Sequence, residues 1–343
     1  MKPRAFFALF LCLIACVVAA RTQEQQFANL GDVKLQSSET LRDCRIGYRT
    51  YGKLNAAKSN AILFATWAGG TTEQLQDTIL KDKFADPNKY FVITVDALGN
   101  GVSSSPSNSR RQPRMQFPRI TIRDMVETQH ELLTHRLGIH HIMAVMGISM
   151  GGMQTFQWIV AYPDFMDKAI PIVGSPRLAP YDLVLWQVQI DAITDDAGWN
   201  GGNYTKNPAR AAAAEFGDLF LTTPEHFNQT TTREKVVQDL AAAAAGNQGS
   251  DANDKIRQSQ AMMALDVSQP IGGSMPRAAA AVKAKVFVVV SKSDHTVTPG
   301  LAIDFAHLIN AKLLMLDDDC GHQAPGCETK TLVPAIAAFL AQP

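Results

Sequence analysis

The chain carries no excess of charge of either sign. Its 343 residues hold 32 Lys and Arg against 32 Asp and Glu, so it lacks the basic face that nucleic-acid binding requires. Charged residues make up only 19% and apolar residues 46%, which excludes a disordered or coiled-coil chain. After the first twenty residues, no apolar run reaches the roughly 18 to 20 residues of a membrane-spanning helix. Cysteine is sparse, with five residues. None stands in a Cys-x-x-Cys or His-x-x-x-His arrangement, so the spacing matches no zinc site. What is left is a globular chain of enzyme size, long enough for one large domain with an insertion.

The start of the chain reads as a targeting segment. Lys2 and Arg4 precede an unbroken apolar run from Ala5 to Val18, and Val18-Ala19-Ala20 supplies small residues for cleavage. Residues 1–20 are therefore expected to be a signal peptide and the protein to be exported, periplasmic or secreted. Leu13-Ile14-Ala15-Cys16 also resembles a bacterial lipobox, which leaves open a membrane-anchored lipoprotein through Cys16. Beyond the signal only Cys44, Cys320 and Cys327 remain, so at most one internal pair forms. Cys320 and Cys327 flank a loop short enough to be cross-linked in an oxidising compartment, and two free thiols are the alternative.

Apolar runs alternate with helical patterns, the signature of a largely parallel sheet. Strands are expected at Ala61–Ala65, Tyr90–Val95, His141–Met146, Lys168–Val173, Val286–Val290 and Leu313–Leu316. Helices are expected at Thr121–Leu137, Met153–Tyr162, Pro299–Asn310 and Thr331–Ala341. From about Pro176 to Gln269 the alternation stops in favour of alanine runs, Pro and Gly. The expected architecture is an α/β core, 21–175 and 270–343, interrupted by a helical cap over 176–269.

Gly147-Ile148-Ser149-Met150-Gly151 is the strongest chemical signal. It is a G-x-S-x-G between an apolar strand and a helix, the context in which such a turn lifts a serine above a sheet edge. A serine needs a base, and the base needs an orienting acid. Asp294 follows one later strand and His322 follows the next, so the order is serine, acid, histidine. Asp317, Asp318 and Asp319 crowd the His322 loop, either as a solvated turn or with one as a second acid. Acyl chemistry also needs oxyanion donors. The expected ones are the backbone N–H of Met150 and, from the Thr66-Trp67-Ala68-Gly69-Gly70 loop, that of Trp67.

These residues resemble the homoserine O-acetyltransferase group of α/β-hydrolases. The resemblance rests on Gly-Ile-Ser149-Met-Gly-Gly-Met-Gln, on the run from Phe117 to Val126, on Cys44 to Asn55, and on Trp199-Asn200-Gly201-Gly202 and Ala261 to Asp266. It spans most of the chain from about residue 30. It implies an α/β-hydrolase fold, a mostly parallel sheet flanked by helices with an inserted helical cap, and a homodimer through that cap. The transferases hold the homoserine carboxylate with an Arg on the first cap helix, and Ile190 stands at that position here. Loss of a guanidinium removes a bidentate carboxylate clamp. Arg177 is a substitute candidate for substrate binding, and Trp186 is a second candidate among cap residues that include Trp199, Phe216, Leu219, Phe220 and Met262.

Together with export, which removes the protein from cytoplasmic acetyl-CoA, Ile190 favours hydrolysis of an ester through an acyl-Ser149 intermediate. An O-acyltransferase using a CoA thioester is the alternative, and an inactive binding scaffold is the reading that a complete triad disfavours. Beside that homodimer, the partner implied is a small-molecule acyl substrate, with no metal or organic cofactor.

Overall fold

The computed structural model describes residues 24–208, 217, 219–244 and 250–342. The segment read as a signal peptide, including Cys16, lies outside them, as does Phe216. Eight strands form one sheet in the order β1-β2-β4-β3-β5-β6-β7-β8. They are β1 (Gln26–Lys34), β2 (Thr40–Tyr51), β3 (Ala61–Ala65), β4 (Phe91–Val95), β5 (Ile142–Ile148), β6 (Met166–Ile172), β7 (Lys285–Ser291) and β8 (Lys312–Leu316). Only β2 runs against its neighbours, pairing antiparallel with both β1 and β4.

Alternation along each strand divides the core into two layers. In β3, Leu63 joins the layer of Ile93, Val145, Met153 and Phe156. Ile62 and Phe64 join the other layer with Val92, Ala144 and Met146. Every residue of β3 is buried, as expected for a parallel strand covered on both faces. Helices α1 (Leu75–Leu80), α2 (Ile122–Glu131) and α3 (Met150–Ala161) come from the first half of the chain. Helix α2 begins at a capping box, in which Thr121 and Asp124 satisfy each other's backbone N–H groups.

Between β6 and β7 the described residues form helices and no strand: α4 (Pro180–Thr194), α5 (Pro224–Thr230), α6 (Arg233–Ala244), α7 (Ala252–Met263) and α8 (Met275–Ala281). The excursion over the sheet is closed at its neck by an antiparallel bridge between Arg177 and Asp266. There Val267 N–H donates to the Pro176 carbonyl at 3.1 Å. Helix α8 lies beyond this neck and touches α3 and α9 (Gly300–Leu308) of the core. The chain ends on α10 (Thr329–Leu340), whose Leu332, Ile336 and Phe339 cover the second layer.

The differences from the sequence reading are local. Strand β1 carried no expectation. Its residues are mostly exposed, so it shows neither an apolar run nor clean alternation. Helix α3 starts at Met150 rather than Met153 because the turn after Ser149 is tight enough for helix to begin at the next residue. The helix expected to Leu137 is regular α only to Glu131. A wider π turn follows over Leu132–Arg136, closed by Leu137 N–H donating to Leu132 O at 3.0 Å.

Candidate active site

Ser149 has φ 59 and ψ −121, a conformation that costs an L-residue energy and needs support from its surroundings. The flanking glycines provide it. A Cβ on Gly147 would come within 2.5 Å of the Gly151 backbone, and one on Gly151 would meet the Ala65 carbonyl at 2.5 Å. A Cβ on Gly152 would stand 2.8 Å from Ile172 O and 3.1 Å from Gly174 Cα. The start of α3 is thus pressed against the ends of β3 and β6, with no room for a side chain. Ser149 N–H donates to Ile172 O at 2.9 Å, which fixes the turn to the neighbouring strand.

The loops after β7 and β8 bring the other two groups to Ser149. His322 Nε2 is 2.8 Å from Ser149 Oγ, and His322 Nδ1 is 2.7 Å from Asp294 Oδ2. All three residues are more than nine-tenths buried. The remaining carboxylate oxygen of Asp294 accepts from the backbone N–H groups of Thr296 and Val297 at 2.8 and 3.0 Å. Those bonds aim Asp294 at the imidazole and fix its proton on Nδ1. Nε2 is then free to accept the serine proton.

The other acids of the His322 loop are engaged elsewhere. Asp317 pairs with Lys292, Asp318 accepts from Cys320 N–H, and Asp319 meets His226 of α5 at 3.0 Å. Cys320 and Cys327 are joined in a disulfide that spans the loop bearing His322. Cys44 is buried, and burial pushes its thiol up to about 12, so it stays protonated and inert.

The two residues expected to supply oxyanion donors both lie beside Ser149, Met150 next to it in the chain and Trp67 along the same cavity. Met150 is the first residue of α3, where a helix leaves its N–H groups without intrahelical acceptors. Trp67 lines the same cavity as Ser149. Gln154 holds the two together, since its side-chain amide donates to Thr66 O at 3.1 Å and to Met150 O at 3.2 Å. A cap residue supports the same loop from above. Gln258 of α7 accepts from Gly69 N–H at 2.6 Å and donates to Leu98 O at 3.0 Å. Neither glutamine was singled out from the sequence. Gln154 stood in the recognised Gly-Gly-Met-Gln run, but Gln258 had no signal, because its partner is 189 residues away.

Two adjoining cavities lie under the cap. The first, about 430 Å³, is lined by Trp67, Ala68, Ser149, Trp186, Leu221, Thr296, His322 and Pro325, among others. The second, about 210 Å³, shares Ala68, Trp186 and Leu221 and continues over Gly69, Asn100, Gln189, Phe220, Asp254 and Gln258. Trp186, singled out from the sequence, lines both cavities.

Arg177 is not. It pairs with Asp266 at 3.7 Å in the neck and lines neither cavity. Its backbone belongs to the bridge that closes the cap. Ile190 packs with Ile193, Ala252 and Ile256 inside the cap. Trp199 bonds Asn253, Met262 is core and Leu219 is exposed. Among the described residues no Arg lines either cavity.

Comparison with known proteins agrees with this geometry. A family model for the alpha/beta hydrolase fold matches residues 62–325. A probable esterase of Corynebacterium glutamicum is 32% identical over 325 residues, 90% of this chain and 92% of that protein. An ethyl acetate hydrolase of Pseudomonas veronii is 32% identical over 80% of this chain and 81% of its own length. A homoserine O-acetyltransferase of Trichormus variabilis is 30% identical over 89% and 90%. The solved structure of an acetylester hydrolase from Corynebacterium glutamicum superimposes with a TM-score of 0.84 at 29% identity, covering 92% of this chain and 95% of that one. The chain belongs to the α/β-hydrolase fold family and resembles the homoserine O-acetyltransferase group within it, and it is an enzyme of ester hydrolysis or acyl transfer.

Proposed function

We propose that the protein is an exported serine esterase that hydrolyses a short-chain acyl ester through an acyl-Ser149 intermediate. The observation that carries this reading is the buried chain from Asp294 through His322 to Ser149 Oγ, with links of 2.7 and 2.8 Å, beneath a mainly apolar cavity. Ser149 Oγ adds to the ester carbonyl as its proton passes to His322 Nε2. The negative charge on the carbonyl oxygen is received by the N–H groups of Met150 and Trp67. The carbon–oxygen bond to the alcohol then breaks, and the alcohol leaves with the proton from His322. Water, deprotonated by the same nitrogen, then adds to the acyl carbon, the bond from that carbon to Ser149 Oγ breaks, the carboxylic acid leaves, and His322 returns the proton to Oγ.

Hydrolysis is preferred over transfer because no Arg is positioned to clamp a homoserine carboxylate near Ser149, among the described residues. The esterase relatives support the same choice. Export is supported by residues 1–20 and is compatible with the Cys320–Cys327 cross-link. A homodimer through the cap is supported by Tyr181, Val184 and Val188, which form an exposed apolar stripe along α4.

The test is a paired assay on protein beginning at Arg21, with p-nitrophenyl acetate in one arm and acetyl-CoA plus L-homoserine in the other. Nitrophenol release that disappears in Ser149→Ala, without homoserine-dependent release of free CoA, is the expected result. Homoserine-stimulated, Ser149-dependent CoA release would establish the transferase reading instead.

A further inference from the structure

A line of buried side chains runs from α2 through α3 to the loop after β3. Trp158 Nε1 donates to Gln129 Oε1 at 2.7 Å, and Gln129 Nε2 donates to Gln154 Oε1 at 2.5 Å. Gln154 Nε2 ends the line on Thr66 O and Met150 O, at 3.1 and 3.2 Å. Gln129, Gln154, Trp158, Thr66 and Met150 are each at most 1% exposed, so bulk water reaches none of them.

The direction of each amide follows from its neighbour. An indole N–H only donates, so Gln129 must turn its oxygen toward Trp158. Its NH2 group then faces Gln154, which must answer with its own oxygen. That leaves the Gln154 NH2 group for the two backbone carbonyls. Turning over either amide would set donor against donor or acceptor against acceptor.

The Thr66 carbonyl belongs to the same peptide unit as the Trp67 N–H. This peptide is trans, hence planar with its carbonyl and N–H pointing in opposite directions. Gln154 takes the carbonyl on one side, which sends the Trp67 N–H to the other. That N–H has no backbone acceptor among the described residues. Thr66 is held further by its hydroxyl, which accepts from Ala97 N–H at 3.0 Å. The second donor bond of Gln154 holds the first turn of α3 at Met150.

We infer that Gln154 is the positioning residue of the oxyanion site. Its one NH2 group sets the Trp67 N–H and the start of α3 in register for the charge that develops on the substrate carbonyl oxygen. Gln129 and Trp158 keep that group turned the right way. This role rests on the acyl-Ser149 reading above and deepens it, by naming what holds the donors that receive the oxyanion.

The test compares p-nitrophenyl acetate with p-nitrophenyl thionoacetate, which differ only in carbonyl oxygen against sulfur. Sulfur is a weak hydrogen-bond acceptor, so the ratio of the two kcat/KM values reports the oxyanion donors. The ratio is independent of the fraction of folded enzyme in a variant preparation, and a loss of packing alone leaves it unmoved. Gln154→Met keeps an unbranched side chain without the donor. Gln154→Glu keeps the shape and, when ionised, offers Thr66 O only acceptors. Each is expected to lower kcat on p-nitrophenyl acetate by about a hundredfold with KM little changed, and the oxo-to-thiono ratio by about tenfold or more. A ratio that stays at the wild-type value in both variants would overturn the inference, whatever happens to kcat. Acetylation of wild-type Ser149, read by intact mass, would in that case leave the esterase reading standing. Absence of that acetylation contradicts the esterase reading, and this role with it.

Discussion

Ser149 combines an unfavourable backbone conformation with almost complete burial, and both serve the same purpose. The positive φ turns Oγ out of the helix that follows and toward His322. Burial removes the water that would otherwise compete for that hydrogen bond. Because the three side chains act as a unit, their removal is not additive. Ser149→Ala and His322→Ala are each expected to lower kcat on p-nitrophenyl acetate by at least about a thousandfold. The double variant should be little worse than either one, which a single set of steady-state measurements checks.

Another buried acid has no such role. Asp254 of α7 accepts from Ser107 N–H at 2.9 Å and Ser107 Oγ at 2.5 Å. Burial, reinforced by nearby Asp251, nevertheless pushes its carboxyl up to about 7. An unfolded aspartate titrates near 3.9, so between about pH 4 and pH 7 the folded chain binds this proton more tightly. Asp254 therefore lowers stability as pH rises through that window. Asp254→Asn keeps an acceptor for Ser107 and should remove this fall. Urea unfolding at pH 5 and pH 8 is expected to show the variant gaining on wild type at the higher pH, by about 1–3 kcal/mol.

The triad was legible in the sequence because each member directly follows a strand that an apolar run announces. Trp186, likewise, stood out as a large ring in the cap. Gln258 was not legible. Its role depends on which face of a cap helix meets the sheet, and the cap's composition does not show that. The same limit applies to Ile190, which motif position aligns with the transferases' Arg, and to Arg177, the substitute candidate at the cap's edge; the structure places them in the cap interior and the neck.

At the scale of elements, the elbow is a packing problem solved by missing side chains. Gly147, Gly151 and Gly152 let α3 begin against β3 and β6 at distances that no Cβ allows. In Gly152→Ala the obstructing atoms are backbone, Ile172 O and Gly174 Cα, so local relaxation must move a strand end or the helix. We expect a loss of about 1–3 kcal/mol in unfolding free energy, with a fall in kcat from displacement of the Met150 N–H. Thermal unfolding and steady-state rates together check this. A variant with unchanged stability would mean that the β6 end is freer than its packing indicates. The central strands were readable because burial on both faces leaves a nearly continuous apolar run, as in Ala61–Ala65. Edge strand β1 has no such run, since its residues mostly face solvent.

Across the whole molecule, α4 joins the parts. Leu185, Trp186, Gln189, Ile190 and Ile193 are buried inward, while Tyr181, Val184 and Val188 are exposed outward. A helix apolar on both sides calls for cover on both sides, and a second cap is the cover we propose. Val184→Glu places a charge in that stripe and should shift the protein to monomer in analytical ultracentrifugation. A wild type already monomeric at micromolar concentration would exclude the cap dimer.

The central claim is that Ser149 carries the acyl group and that water removes it. It is tested most directly by quenching turnover of p-nitrophenyl acetate within milliseconds and mapping acetyl groups by peptide mass spectrometry. Acetyl is expected on the peptide containing Ser149 and absent in Ser149→Ala. Its decay is expected to proceed at a rate that L-homoserine does not change. Turnover with no acetyl on that peptide would contradict the mechanism, and decay accelerated by homoserine with formation of its acetyl ester would contradict the assignment to hydrolysis.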